Sequence, residues 1–260
     1  MSSLRIAVAG KGGAGKTTLS STLARLFARQ GRDVVVIDGD SNPNVAVALG
    51  VDREIAGALE PLPINLVNRR LNGKALNQTV DEILGSHAVT APDGVRVLMM
   101  AMPNHADEGC LCTSHAVVSG LLGDMVGRPD SVTILDLEAS PEHLSRGTTR
   151  NVDALLLVVE PYYRSYETAR RMAALAAELP IGRVAVVANK LRTPTDALAI
   201  EEYCERHSLH LDGRLPWSTT VLDADAAGIP LLDFDPDNPV IAAVADVAEG
   251  LSSLTAAVPS

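Results

Sequence analysis

A doubly wound, mostly parallel α/β sheet flanked by helices is the fold that three observations predict for this 260-residue chain. Short, continuous apolar runs recur along it, as strands covered on both faces require. Stretches with helical spacing lie between those runs, so strand and helix alternate. The first run leads through a glycine-rich turn directly into a helix and then a second run, which is a βαβ unit.

The first run, residues 4–9, stops at Gly10. After the glycines, Leu19, Leu23, Leu26 and Phe27 recur along one helix face, and Gly31 ends that helix. Residues 33–37 (DVVVI) make the second run. Further strands are expected at 95–100, 132–135, 154–159 and 184–188, with a short one at 210–215. Helices are expected at 165–179 and 195–207. Residues 61–92 read as the least regular part, an insertion carrying a helix around 77–84. The proline- and aspartate-rich stretch 233–239 is expected to wrap the surface before a last helix at 239–256. No repeat or low-complexity linker divides the chain, so 1–260 reads as one domain. In such a sheet the reactive groups belong at the carboxyl ends of the strands.

Composition narrows the function. Hydrophobic residues make up 47% and charged residues 21%, which suits a chain with a sizeable core. The net charge of −10 disfavours a broad grip on nucleic acid or anionic lipid. The paired arginines Arg69-Arg70 and Arg170-Arg171 read as solvated ends of elements rather than a binding patch. The last helix carries no Lys or Arg, so it lacks the basic face of a membrane-binding helix. No run has the length of a membrane span or of a secretory signal. Three cysteines form no disulfide framework, and the chain reads as cytoplasmic.

Gly10 to Thr17 (GKGGAGKT) fits G-x-x-x-x-G-K-[ST] between a strand and a helix. Glycines let successive backbone N–H groups turn inward around phosphates, and the helix dipole adds to the pull. The expected nucleotide contacts are Gly12, Gly13, Ala14, Gly15, Lys16, Thr17 and Thr18. Lys16 would reach the β- and γ-phosphates, and the Thr17 hydroxyl would bind Mg²⁺. Three acidic residues close strands nearby. In "VIDGDSNPN", Asp38 and Asp40 could hold a metal or orient a water, or simply cap the turn before Asn42-Pro43. In "TILDLEAS", Asp136 follows an apolar run as a Walker-B aspartate does.

"KGGAGKTT", "VIDGD" and "TILDLEA" together resemble the deviant Walker A ATPases, the superfamily of MinD, ParA and the nitrogenase iron protein. The resemblance runs over nearly the whole chain. It implies a P-loop NTPase fold of the SIMIBI type, ATP hydrolysis and a homodimer. It assigns Lys11 as the signature lysine that crosses to the partner's phosphates. It assigns Asp40 to the attacking water and Asp136 to magnesium held through water. Asn189 in "VVANKL" resembles the family's adenine-contacting asparagine, and Pro216 in "RLPW" the proline of the loop over the base. No Asn-Lys-x-Asp follows Asn189, which points to ATP over GTP.

The cargo rests on "NHADEGCLC". Cys110 and Cys112 put two thiolates within reach of one soft metal but fill only two of four tetrahedral positions. A symmetric partner could supply the rest, or His105 or His115 could complete a site in one chain. Two small hydrophobes or a redox couple are the lesser alternatives, the one-residue spacing being tight for an easy intrachain disulfide. Cys204 reads as a buried helix residue. The Cys-x-Cys, with "DLEASPEHLSRGTTRNVDALLLVVEPYYRSYETARR" and "VVANK", resembles the CooC family, ATPases that mature nickel carbon monoxide dehydrogenase. That resemblance implies nickel, with zinc an equal fit on chemistry alone, bound at Cys110 and Cys112 between subunits. It also implies a carbon monoxide dehydrogenase-like client. Ser140 stands where the family has glycine, and Glu138, Glu142 and His143 are candidate switch residues. Two other expectations stay open. One is a positioning or partitioning switch of the MinD or ParA type. The other is an ATP-dependent iron–sulfur reductase component.

Overall fold

The computed structural model describes residues 2–67, 75–101, 112–138, 144 and 148–256. An eight-stranded sheet runs through it in the order β3-β4-β2-β5-β1-β6-β7-β8. The strands are β1 Leu4–Gly10, β2 Asp33–Gly39, β3 Val89–Thr90, β4 Arg96–Met99, β5 Ser131–Leu137, β6 Ala154–Val159, β7 Arg183–Leu191 and β8 His210–Pro216. Every pairing is parallel except β3 against β4.

The expected strands are present, and most run a residue or more further than their apolar runs. β2 continues through Asp38 and β5 through Asp136, because each carboxylate finds hydrogen-bond donors that let it stay in the sheet. β3 is an addition: two residues within the stretch read as an insertion, held by pairing with β4. The helix in that stretch is Val80–His87 rather than 77–84. Thr79 caps it in a reciprocal capping box with Glu82, while Asn77 is drawn to the carbonyl of Asn65. The other long helices are α1 Lys16–Arg29, then Cys112–Asp124, Tyr163–Ala176, Pro194–Arg206 and Pro239–Ala256.

Alternation along the central strand splits the core. Leu4, Ile6 and Val8 face α1 and the last helix, packing with Leu23, Phe27, Val244 and Val247. Ala7 and Ala9 face the other layer, with Val118, Leu121 and Met172. Cys204 is buried and its thiol is pushed up to about 11 by that burial, as expected of an inert core residue. Stretch 233–239 does not merely wrap the surface. Asp233 lies in the short helix Leu231–Phe234 and, with Asp93, clamps the buried guanidinium of Arg25 on α1. Burial works against that charge, yet the bonds to both carboxylates raise the Arg25 pKa on balance. Arg170 pairs with Glu167 on its own helix, and Arg69-Arg70 lies outside the described residues. No helix among the described residues is long and apolar enough to cross a membrane.

β1 sits between β5 and β6, and the chain leaves it toward β2 on one side before returning to build β6, β7 and β8 on the other. That reversal opens a crevice at the carboxyl ends of the central strands.

Candidate nucleotide site

The turn from β1 into α1 fills that crevice. Gly10 has φ +148°, and a Cβ there would overlap the Val158 carbonyl oxygen of the neighbouring strand. Gly15, the N-cap of α1, is left-handed at φ +98°, and a Cβ would overlap Asn189 Nδ2. Only glycine fits at either place. No side chain caps the start of α1, so its first N–H groups face the crevice, the arrangement that receives an anion. Lys16 is 7% exposed, with Nζ 3.5 Å from the Lys11 carbonyl. Gly12, Gly13, Gly15, Lys16, Thr17 and Thr18 line a cavity of about 540 Å³, and Asp40, Ser41 and Glu138 close it. Ala14 is buried beneath the loop.

Asp38 and Asp136 are register partners on adjacent strands. Asp136 is 1% exposed and accepts from Thr17 Oγ1 at 2.7 Å and Ser20 Oγ at 3.0 Å. Burial pushes its pKa up to about 7; the Thr17 bond opposes the rise and the nearby Asp38 adds to it. Asp38 accepts three backbone N–H groups, from Asp40, Asn44 and Val45, at 2.9 to 3.1 Å. Burial still lifts it to about 6. Of the two readings for Asp38, turn-capping is the one its partners support. Asp40 accepts from the Asn42 N–H at 3.0 Å and stays partly exposed at the cavity edge.

The hard oxygens of Thr17 and Asp136 meet at one point beneath the phosphate cradle, the donor type that magnesium takes. The residues present therefore fit Mg²⁺ with a nucleotide.

A second, narrow cleft lies across Gly15 and Thr18, lined by Asn189, Leu215, Pro216, Trp217, Leu222 and Val244. Its volume of about 50 Å³ is on the scale of a water molecule or two. Asn189 lies here, though its amide is engaged: Nδ2 donates to the Ala14 carbonyl at 2.7 Å, and Oδ1 accepts the Lys190 N–H at 2.8 Å. Pro216 ends β8, and the Arg192 guanidinium stacks 3.9 Å from the centre of the Trp217 ring.

The structure thus brings Lys11, Lys16, Thr17, Thr18, Asp40, Asp136, Asn189 and Pro216 to one end of the sheet. It also places there three residues that lie inside the quoted motifs but carry no role assigned by them, Glu160, Tyr162 and Lys190. Their signal in the sequence is position, since each follows or closes a strand at the same carboxyl edge.

The expected metal site stands differently. Cys112 opens the helix Cys112–Asp124, is exposed and is disulfide-bonded, so a thiolate site there requires reduction. Cys110, His105, Ser140, Glu142 and His143 lie outside the described residues. His115 is buried, with Nδ1 2.6 Å from Thr148 Oγ1, and so serves the helix interface. Among the described residues no group of three or more His, Cys, Asp or Glu is placed to hold a metal ion.

A glycine-built phosphate cradle at a strand–helix turn, with a carboxylate behind its threonine, defines a P-loop nucleotide-binding ATPase. The chain belongs to the CobQ/CobB/MinD/ParA nucleotide-binding domain family, whose pattern it matches over residues 6–231. Among its relatives is the carbon monoxide dehydrogenase accessory protein CooC of Rhodospirillum rubrum, 36% identical over 90% of this chain and 91% of that one. An uncharacterized ATP-binding protein of Methanocaldococcus jannaschii is 34% identical over 88% and 91% of the two chains. Solved structures share the fold. The MinD protein of Pyrococcus horikoshii, complexed with Mg-ADP, superposes with a TM-score of 0.72 at 17% identity, covering 97% of each chain. A ParA family ATPase from Chlorobium tepidum gives 0.72 at 17%, covering 95% of this chain and 98% of that one.

Proposed function

We propose that this ATPase is a nucleotide-driven homodimer that carries a soft metal ion at Cys110 and Cys112 and assists nickel insertion into a carbon monoxide dehydrogenase-like client. The observation that carries the reading is the 36% identity to CooC across nine-tenths of both chains.

In the proposed cycle the α1 N-terminus and Lys16 hold the β- and γ-phosphates. Magnesium, when bound, neutralises charge on the phosphate oxygens. Thr17 and Asp136 are the groups that would hold it, Asp136 through water. Asp40, with an unshared carboxylate oxygen at the cavity edge, orients the attacking water. Asn189 and Pro216 flank the base, and the narrow cleft between them has to open to admit it. Lys11 reaches across to the partner's phosphates, so hydrolysis requires two subunits. Closure draws the two Cys-x-Cys pairs together to complete four thiolates around one metal.

Purification without oxygen and with reductant, followed by metal analysis and sedimentation with and without ATP, tests this. The expected result is about one nickel or zinc per dimer, lost in both Cys110→Ser and Cys112→Ser and in oxidised protein. A brown iron–sulfur chromophore would overturn it in favour of a reductase component. Absence of metal with ATP-driven dimerisation intact in both variants would instead support a positioning switch.

A further inference from the structure

Lys11 and Lys16 leave the same loop for different surroundings. Lys16 is buried in the cradle. Lys11 turns away from it and rests on a tyrosine: its Nζ donates to Tyr162 Oη at 3.1 Å and lies 4.9 Å from the ring centroid. The Tyr162 hydroxyl donates onward to Glu160 Oε2 at 3.1 Å. The other oxygen of Glu160 accepts from Lys190 Nζ at 2.8 Å. Lys190 also donates to the Gly13 carbonyl at 2.5 Å, inside the phosphate loop. Its backbone is left-handed, φ +60°, and its N–H is fixed by Asn189 Oδ1.

The two lysines on this carboxylate are not held alike. Lys190 pairs with Glu160 directly and is tied at both ends. Lys11 reaches that carboxylate only through a neutral hydroxyl and a ring face, and Tyr162 is 38% exposed. A cation held by a neutral oxygen and a half-open ring is restrained but releasable.

We propose that Tyr162 is a positioning residue that retains Lys11 on its own subunit, so that the lysine can cross to a partner's nucleotide only by giving up this contact. The inference rests on the reading of Lys11 as the residue that acts across the dimer. Because the retaining contact exists only before crossing, it opposes dimer closure and sets the protein concentration at which hydrolysis switches on. Glu160 holds the tyrosine hydroxyl in place, and Lys190 couples that carboxylate to the loop that binds phosphate.

The test is ATP turnover as a function of protein concentration, with Mg-ATP saturating, for the parent, Tyr162→Phe and Tyr162→Ala. The half-maximal protein concentration is expected to fall about three- to tenfold in Tyr162→Ala, which loses both contacts, and less in Tyr162→Phe, which keeps the ring. Binding of a fluorescent ADP to the dilute protein is the control for an intact loop. Sedimentation with a non-hydrolysable ATP analogue, comparing Lys11→Gln with Lys11→Gln/Tyr162→Ala, should show no difference between the two. An unchanged or higher half-maximal concentration in both tyrosine variants, with Lys11→Gln inactive, overturns the retention role and leaves the trans lysine standing. Full turnover in Lys11→Gln overturns the trans lysine itself, and with it the basis of the proposal.

Discussion

Asp38 and Asp136 face each other across one pair of strands, both buried and both with raised pKa values, yet they are held in different ways. Asp38 is satisfied by three backbone N–H groups that cannot leave without unwinding the turn at 40–45. Asp136 is satisfied by two hydroxyls on α1, Thr17 and Ser20, which can rotate. The first arrangement fixes a loop. The second leaves a carboxylate whose partners can be exchanged for a hydrated cation. Similar burial and similar titration therefore accompany two different sets of donors, one fixed in the backbone and one free to turn.

The largest effect that would sharpen this contrast is expected at Asp136. Asp136→Asn should lower Mg-ATP turnover on the order of 10²-fold or more while the protein still folds, measured by steady-state hydrolysis and a thermal melt. Retention of near-parental turnover would remove Asp136 from the metal site. At Asp38 the expected loss is in stability. Asp38→Ala strips the acceptor from three N–H groups and should cost about 3 kcal/mol in urea unfolding. Asp38→Asn keeps an acceptor oxygen and should cost about 1 kcal/mol. Equal costs for the two variants would break the capping account.

The smallest expected effect is on pH dependence, and it joins both groups. Each ionises near 3.8 when unfolded but near 6 or 7 in the fold. Between about pH 4 and pH 7 the folded protein holds protons that the unfolded chain has released. Stability contributed by these carboxyls is greatest at the acidic end of that window and falls as pH rises through it. Urea unfolding at intervals from pH 5 to pH 8, without nucleotide or magnesium, should show that slope, and Asp136→Asn should flatten it. A stability that rises through the same window would contradict the upward shift of the two carboxyls itself.

The strands were legible because a parallel sheet covered on both faces writes itself as apolar runs. The phosphate loop was legible because its glycines serve backbone geometry that other residues cannot adopt, as the overlap of any Cβ at Gly10 with the Val158 carbonyl makes plain. The ends of the strands were harder. Asp38 and Asp136 look like stops in a hydropathy pattern, and only their donors, drawn from other elements, keep them inside the sheet. The helix at Val80–His87 starts three residues beyond its expected place because a capping box at Thr79 outweighs the pattern of apolar residues. The contact of Lys11 with Tyr162 joins residues 151 positions apart, and no local pattern carries it.

Trp217 is the chain's single tryptophan, and it stands at the mouth of the narrow cleft with Arg192 stacked on its ring. Its emission therefore comes from one known place. A base entering that cleft would change the ring's polarity and its guanidinium neighbour together. If the base enters there as proposed, Trp217 is an unlabelled optical gauge of nucleotide arrival, and its emission with and without ATP reads that step directly.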